Sequence, residues 1–457
     1  MKKTVKKYPE IKFDKKTFYK MLFTIALPII IQNFLSSSLN MVDNLMIGRL
    51  GEEAIAAVGQ ANQLFFLFNL ISFGLNSGAG IFFSQFYGSG DYKMFKKYLG
   101  MTMVIGSSIA MVFSFLALII PEQIMGLYTE NPLVLKQSVD YLRIVGFSYL
   151  MNNISFTLVF ALRATNQASI PMVSSIIGLG LNTFLNYSLI NGVWGFPRLE
   201  VRGAALATLI ARTVEFGILF YIVFVKKNII HGSLKELMSF KRPNITKYLV
   251  VAAPVILNET FWSLGIVVYN YAYAKLGVDA FAAIQIQNTI TQLFYVFSFG
   301  ISNAAAIITG ILIGRREIEL VKLYAGRIIK LTILIGALTS VLLYLAKEPI
   351  LSFYSLELAT KSSAGIMLTM ICFIMPIRFL NVLFVVGLFR GGGDTRYSLL
   401  AETSSLWLVG VPLVAFAALY LKLPVETVLL ISFTEEVIKL MICLPRYKSM
   451  KWIRTVI

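Results

Sequence analysis

The chain has 457 residues, of which 57% are hydrophobic and 14% charged, with 35 Phe, 21 Tyr and a formal net charge of +18. Soluble chains carry about a quarter charged residues, so this balance, at a mean hydropathy of +0.75, belongs in a bilayer and excludes a disordered, collagenous or ordinary cytosolic protein. The only cysteines, Cys372 and Cys443, lie in apolar runs and exclude a disulfide scaffold, and the single histidine, His231, leaves little for a His-ligated metal site or a Ser–His hydrolase.

In chain order, a polar, lysine-rich segment (1–20) precedes twelve apolar runs, near 21–47, 57–86, 98–120, 138–161, 171–190, 203–225, 247–273, 281–310, 327–346, 363–388, 398–420 and 424–445. The first run contains Gln32, Asn33 and Ser36–Ser38 and lacks a small-residue cleavage site, so it is read as a retained span and not as a signal peptide. The connections are short and hold the turn residues, among them Gly51, Gly88, Pro121, Gly195 and Pro424; the longest, Lys226 to Lys247, is basic.

Lysine and arginine set the sidedness. The two terminal segments and every second connection between them hold 29 of the 41 basic residues, the opposite connections hold 8, and Arg143, Arg212, Arg378 and Lys439 lie within spans. By the positive-inside rule both termini are expected in the cytoplasm. The +18 is therefore a topology signal; no basic patch interleaved with exposed aromatics outside the spans points to nucleic acid.

Shifted by 226 residues against itself, the sequence matches 28–88 to 254–314 without a gap, with 19 of 61 positions identical. Pro28/Pro254, Asn44/Asn270, Gly51/Gly277, Asn62/Asn288 and Gly88/Gly314 are among them, and Arg163-Ala-Thr-Asn166 corresponds weakly to Arg390-Gly-Gly-Gly393. Six spans separate equivalent points, so the halves are parallel repeats about an axis along the membrane normal, a plan found among transporters. The predicted fold is an all-α polytopic membrane protein with twelve transmembrane helices as two six-helix bundles related by pseudo-two-fold symmetry. Its segments are 1–20 (basic, cytoplasmic), 21–225 (first bundle), 226–246 (cytoplasmic linker), 247–445 (second bundle) and 446–457 (cytoplasmic tail).

Ionisable groups inside a bilayer are expensive and mark pathways or partners. By helical rise Glu259, Arg378 and Glu435/Glu436 sit roughly 15–18 Å from the cytoplasmic ends of their spans, near the midplane. A shared network of Glu259, Arg378 and one of Glu435/Glu436 is expected, its proton or ion occupancy changing with the side to which the cleft opens. The plainer reading makes Glu435–Lys439 and Arg212–Glu215 intrahelical pairs at i,i+4 and i,i+3. Glu402, only about 6 Å into its span by helical rise, is expected to snorkel to the surface. Asp43, flanked by Asn40 and Asn44 near the outer end of its span, reads alone as an interfacial acid or a cap to the Gly48–Gly51 turn. Asn62, Gln63, Asn69, Asn76, Gln85, Gln285, Gln287, Asn288 and Gln292 either line a hydrated cleft or bond across helices. Aromatic and soft side chains such as Tyr269, Tyr295, Trp407 and Met375 suit an apolar cation, or lipid and core. The Gly391–Asp394 run lacks the Lys-Ser/Thr of a phosphate loop and reads as a tight turn anchored by Arg390, Asp394 and Arg396.

With these residues in view, the chain resembles the multidrug and toxic compound extrusion (MATE) family over nearly its whole length. The resemblance rests on NMVDNLMIGRLG, LNTFLNYSLING, VRGAALATLIAR, APVILNETFWSLG, FRGGGDTR and EEVIKL, in that order and spacing. It implies a 6+6 helical fold around a V-shaped cleft, exporting organic cations in exchange for protons or sodium ions. It also implies a protonation or ion site at Asp43, with Asn182 and Asn186 standing where the family pattern has Asn and Asp, so that a second carboxylate is missing. Thr208 falls on the family's small-residue motif of the sixth span, and Glu259 matches a glutamate used by relatives in the seventh.

The function expected is secondary active efflux of amphipathic, cationic small molecules by a monomer in the cell membrane, through alternating access and without a cofactor beyond the coupling ion. The alternative is a flippase or exporter of lipid-linked saccharides, whose large anionic substrate calls for several basic residues facing the cleft. A membrane-embedded enzyme would need a nucleophile with its base, or a metal set, inside the spans, and the one histidine lies in a loop.

Overall fold

The structure, a computed structural model, describes residues 14–353 and 357–457. The first thirteen residues of the basic segment, and the side chains of Asn40 and Asn44, lie outside the described residues. In chain order the long helices are α1 (Lys15–Gly48), α2 (Glu52–Ser89), α3 (Tyr92–Ile119), α4 (Pro132–Gly146 with Ser148–Ala164), α5 (Ser169–Asn191) and α6 (Glu200–Val225). After the linker come α7 (Arg242–Ala274), α8 (Val278–Gly314), α9 (Ile318–Ser352), α10 (Leu358–Phe389), α11 (Thr395–Tyr420) and α12 (Val425–Lys448). Ten are long and apolar enough to cross a membrane, and α4, bent by 48° at Phe147, makes an eleventh if its two pieces form one span. Helix α12 is the most polar, since any eighteen-residue stretch of it contains Glu435, Glu436 and Lys439.

Helix α1 starts six residues before the apolar run. The Asp14 carboxylate accepts from the main-chain N–H groups of Lys16 and Thr17 and caps it, and Phe18, fully buried, packs edge-on against Tyr324 of α9. Outward faces carry large apolar side chains such as Phe115, Leu338 and Leu408, which in water would be a liability and against lipid tails are not.

The repeat becomes an interface. The first part of α1 (Phe18, Leu22, Ile25, Ala26, Ile29) shares a core with α8, α9 and α10 of the other half, while the first part of α7 (Tyr248, Val251, Ala252) shares one with α2, α3 and α4. The contacts are reciprocal at the offset of 226. Gly74 lies against Ile256 and Gly300 against Ile30; Gly88 lies against the backbone of Ile311 and Gly314 against that of Gln85. A Cβ at Gly88 or Gly314 would run into a main-chain carbonyl, so glycine is required at both crossings. The halves thus interlock at the end of the molecule that holds the start of α1 and the C-terminal segment.

At that end residues 451–457 cross from one half to the other. Trp452 is fully buried beside Phe389 and Tyr447, and the Arg454 N–H donates to the Gly392 carbonyl (2.7 Å). On the opposite half the Gln85 amide donates to the Arg454 carbonyl (3.0 Å) and accepts from the Val456 N–H (2.9 Å). Asp394, buried, pairs with Arg446 (2.7 Å) and Arg454 (3.2 Å), so it anchors the glycine turn as expected; Arg396 is exposed, and Arg390 turns inward to a different partner.

Candidate functional site: a polar cavity and two charge clusters

Between the halves lies a cavity of about 420 Å³ lined by Gln32, Asn33, Ser36 and Ser37 of α1, Asn69 and Phe73 of α2, and Gln292, Tyr295, Phe299 and Asn303 of α8, with Arg163, Ser175, Arg212 and Glu215 on its wall. A hydrogen-bonded chain runs along that wall. Arg163 Nη2 donates to Gln32 Oε1 (2.6 Å), Gln32 Nε2 to Ser175 Oγ (2.7 Å), and Ser175 Oγ to Glu215 Oε1 (2.6 Å), while Glu215 Oε2 pairs with Arg212 at 3.0 Å. The i,i+3 spacing of Arg212 and Glu215 made that last pair legible; Arg163 and Ser175 were not. Arg163 reads from sequence as part of a connection, yet it closes α4 and faces the cavity. The sign lay in its weak correspondence with Arg390 in the other half, which also turns inward.

The amides of α2 and α8 divide three ways, and bonding within one helix belongs to neither of the two expected readings. Asn69 and Gln292 line the cavity, Gln85 holds the tail, and Asn76 and Gln287 bond within their own helices, to Ser72 and Thr291. Of the aromatic and soft side chains, Tyr295 lines the cavity, Met375 is core, and Trp407 donates to the Phe261 carbonyl at 3.0 Å.

In the first half the structure brings Asp43, Asn182, Asn186 and Thr208 together. Asn186 Nδ2 donates to Asp43 Oδ1 at 2.8 Å and to Asn182 Oδ1 at 3.3 Å, and Asn182 Nδ2 reaches Thr208 Oγ1 at 3.4 Å. Tyr141, buried on α4, borders the same cluster beside Thr208 and Asn62, and nothing in its spacing points to it. Among the described residues the Asp43 carboxylate has only neutral hydrogen-bond donors and no salt-bridge partner.

In the second half the charges are fused. Arg378 Nε lies 3.2 Å from Glu436 Oε1, Lys439 Nζ is 2.7 Å from Glu402, 2.9 Å from Glu435 and 4.0 Å from Glu436, and Tyr269 Oη donates to Glu435 at 2.8 Å. Asn381 adds an amide to Glu436 at 2.8 Å. Arg378 thus joins Glu436 and, through Lys439, Glu435, but two expectations are corrected. Glu402 does not snorkel: it is buried, because α11 packs on α12 and presents it to Lys439. Glu259 does not join this network; its Oε1 pairs with Arg390 at 2.6 Å. Depth along a helix places a charge at a level, and rotation about the helix axis decides which neighbour it meets. Helix α10 opens into wider π-turns over Leu383–Phe389, which changes the direction of the residue that follows, Arg390.

The family model described as MatE matches this chain twice, over residues 28–188 and 254–416. The chain belongs to the MATE family. It is 26% identical over 444 residues to the uncharacterized transporter YisQ of Bacillus subtilis, covering 96% of each chain. It is 23% identical to the probable multidrug resistance protein NorM of Thermotoga maritima, covering 88% of this chain and 86% of that one. A solved structure of a multidrug resistance MATE family transporter in an outward-facing conformation superposes with a TM-score of 0.87 over 95% of this chain and 96% of its own, at 19% identity, which establishes the fold. The chain is thus a membrane protein whose relatives are MATE transporters, and the two matched stretches begin at the repeat-related prolines Pro28 and Pro254.

Proposed function

We propose that this MATE-family chain is a secondary active exporter of amphipathic cations, driven by antiport of protons or sodium ions, and that Asp43 is where the coupling ion exchanges. It works as a monomer in the cell membrane with both termini cytoplasmic, the orientation that the Lys/Arg distribution favours. The observation that carries the reading is the lone Asp43 carboxylate, held by Asn186 with no salt-bridge partner among the described residues. A half-buried acid without a salt-bridge partner gains from taking up a proton or a metal cation, and gives it up when the surroundings change. Asn182, Asn186 and Thr208 supply the neutral oxygens and amides that hold it in either state; the buried Asn186 Oδ1 has no hydrogen-bond partner and is available to a cation. Glu259, paired with Arg390 beside the cavity, is the second carboxylate we assign to coupling, its release depending on how the halves sit. The interlock at the terminal end supports alternating access in which that end is the closed gate of an outward-facing state.

The test is dye or cationic-drug transport in proteoliposomes under an imposed proton or sodium gradient, with Asp43→Asn and Glu259→Gln beside the wild type. Uptake driven by one gradient and lost in Asp43→Asn is the expected result. Transport that needs ATP and ignores both gradients overturns the antiport reading, and normal gradient dependence in both variants overturns the site.

A further inference from the structure

Three arginines border the space between the halves, and they are not equivalent. Arg212 is neutralised by Glu215 at 3.0 Å and Arg390 by Glu259 at 2.6 Å. Arg163 has only the neutral Gln32 oxygen at 2.6 Å and the face of Phe160 at 5.9 Å, and its buried Nε has no partner. No carboxylate pairs with it among the described residues. Arg390 is 3% exposed, and its Nε and Nη1 are likewise buried without partners. Both arginines line a small cavity that Ser77 of α2 and its repeat equivalent Asn303 of α8 also line, and this cavity shares Phe160, Arg163 and Asn303 with the large one. The three arginines and two glutamates leave one net positive charge at the floor of the cleft, with three guanidinium nitrogens unoccupied. A cation kept out of water in this way calls for an anionic partner, and a guanidinium fork suits a carboxylate.

We propose that Arg163, with Arg390 across the same small cavity, binds the acidic group of a zwitterionic amphipath. The apolar body of such a substrate would lie among Phe73, Phe156, Tyr295 and Phe299 in the large cavity, its carboxylate turned down onto Arg163. This narrows the substrate class of the exporter, and so rests on the efflux reading: molecules bearing both charges are preferred over simple cations. It also gives Glu259 a competitor, since a carboxylate that engages Arg390 frees Glu259 to take up a proton.

The probe is a xanthylium dye with a free benzoate, compared with the methyl ester of the same dye, which carries the cation alone. Binding to the purified full chain in detergent is read by fluorescence anisotropy. The expected result is tighter binding of the acid than of the ester, with the acid-to-ester affinity ratio falling by about tenfold or more in Arg163→Gln. Arg390→Gln should lower the ratio as well. Because it strands Glu259 and risks misfolding, Arg390→Lys is run beside it, and a reduced ratio there, with charge kept and the fork lost, also supports the site. A wild-type ratio of one, or a ratio unchanged in Arg163→Gln, overturns the inference while ester binding leaves the efflux reading standing. Binding of neither dye overturns both.

Discussion

The two halves share a backbone plan and solve the problem of buried charge in opposite ways. In the first half Glu215 is paired with Arg212, but Asp43 is held by Asn186 and the neighbouring Asn182 and Thr208 without a salt bridge among the described residues. In the second, three carboxylates and two cations (Glu402, Glu435, Glu436, Arg378 and Lys439) share one cluster, with Tyr269 and Asn381 adding hydrogen bonds. Repeat equivalence sharpens the contrast, since Asp43 corresponds to Tyr269, which spends its hydroxyl on that cluster. Where every charge has a fixed partner, a proton or ion has little to gain by arriving. Where an acid has a hydrogen-bonding amide and no salt bridge, occupancy is the variable. The Asp43 cluster is therefore built to exchange and the Lys439 cluster to hold.

The largest effect is expected from removing the cation at the centre of the holding cluster. Lys439→Met leaves Glu402 and Glu435 without their ammonium partner in a buried setting, and truncating one partner of a buried ion cluster costs about 3–5 kcal/mol. The apparent melting temperature in detergent should fall steeply, and adding Glu435→Gln should recover part of the loss. A Lys439→Met protein as stable as wild type would mean that the cluster is not structural and that the two halves do not differ as described.

A smaller effect is expected where the halves are alike. Gly88→Ala and Gly314→Ala each drive a methyl into a backbone carbonyl of the opposite half, an overpacking worth about 1–3 kcal/mol. The two variants should lose melting temperature by similar amounts, because the contacts are related by the same offset of 226 residues. If one is silent and the other severe, the reciprocal crossing is not the closed gate.

Much of this was legible in the sequence, and for physical reasons. Apolar runs give spans, because a bilayer demands them, and a fixed offset of matched Pro, Asn and Gly gives parallel halves whose interface glycines meet. Pairs within one helix, Arg212–Glu215 and Glu435–Lys439, follow from spacing alone. The polar twelfth run is a helix in the bundle because its charges are satisfied by α10 and α11. What spacing does not encode is which face of one helix meets another. Depth alone therefore pairs Glu259 with Arg378 and puts Glu402 at the surface, whereas rotation about the helix axis turns Glu259 onto Arg390 and Glu402 inward to Lys439. Arg163 was hidden by its place at the end of a span, where a positive charge reads as a topology signal.

The exchanging half gives the smallest stability effect and so the strictest test. Asp43→Asn keeps shape and leaves an oxygen to accept from the Asn186 amide, and it strands no cation, since none pairs with Asp43 among the described residues. Its melting temperature should stay close to wild type, a change of less than about 1 kcal/mol, while gradient-driven transport is lost. The opposite pairing, a large loss of stability with transport retained, would move Asp43 into the same category as Glu435 and leave the first half without an exchanging group. Running Glu436→Gln alongside fixes the scale, because that carboxylate faces Arg378 at 3.2 Å and its neutralisation leaves a buried guanidinium short of charge. A variant pair in which Glu436→Gln costs stability and Asp43→Asn costs only transport is the result that separates holding from exchanging.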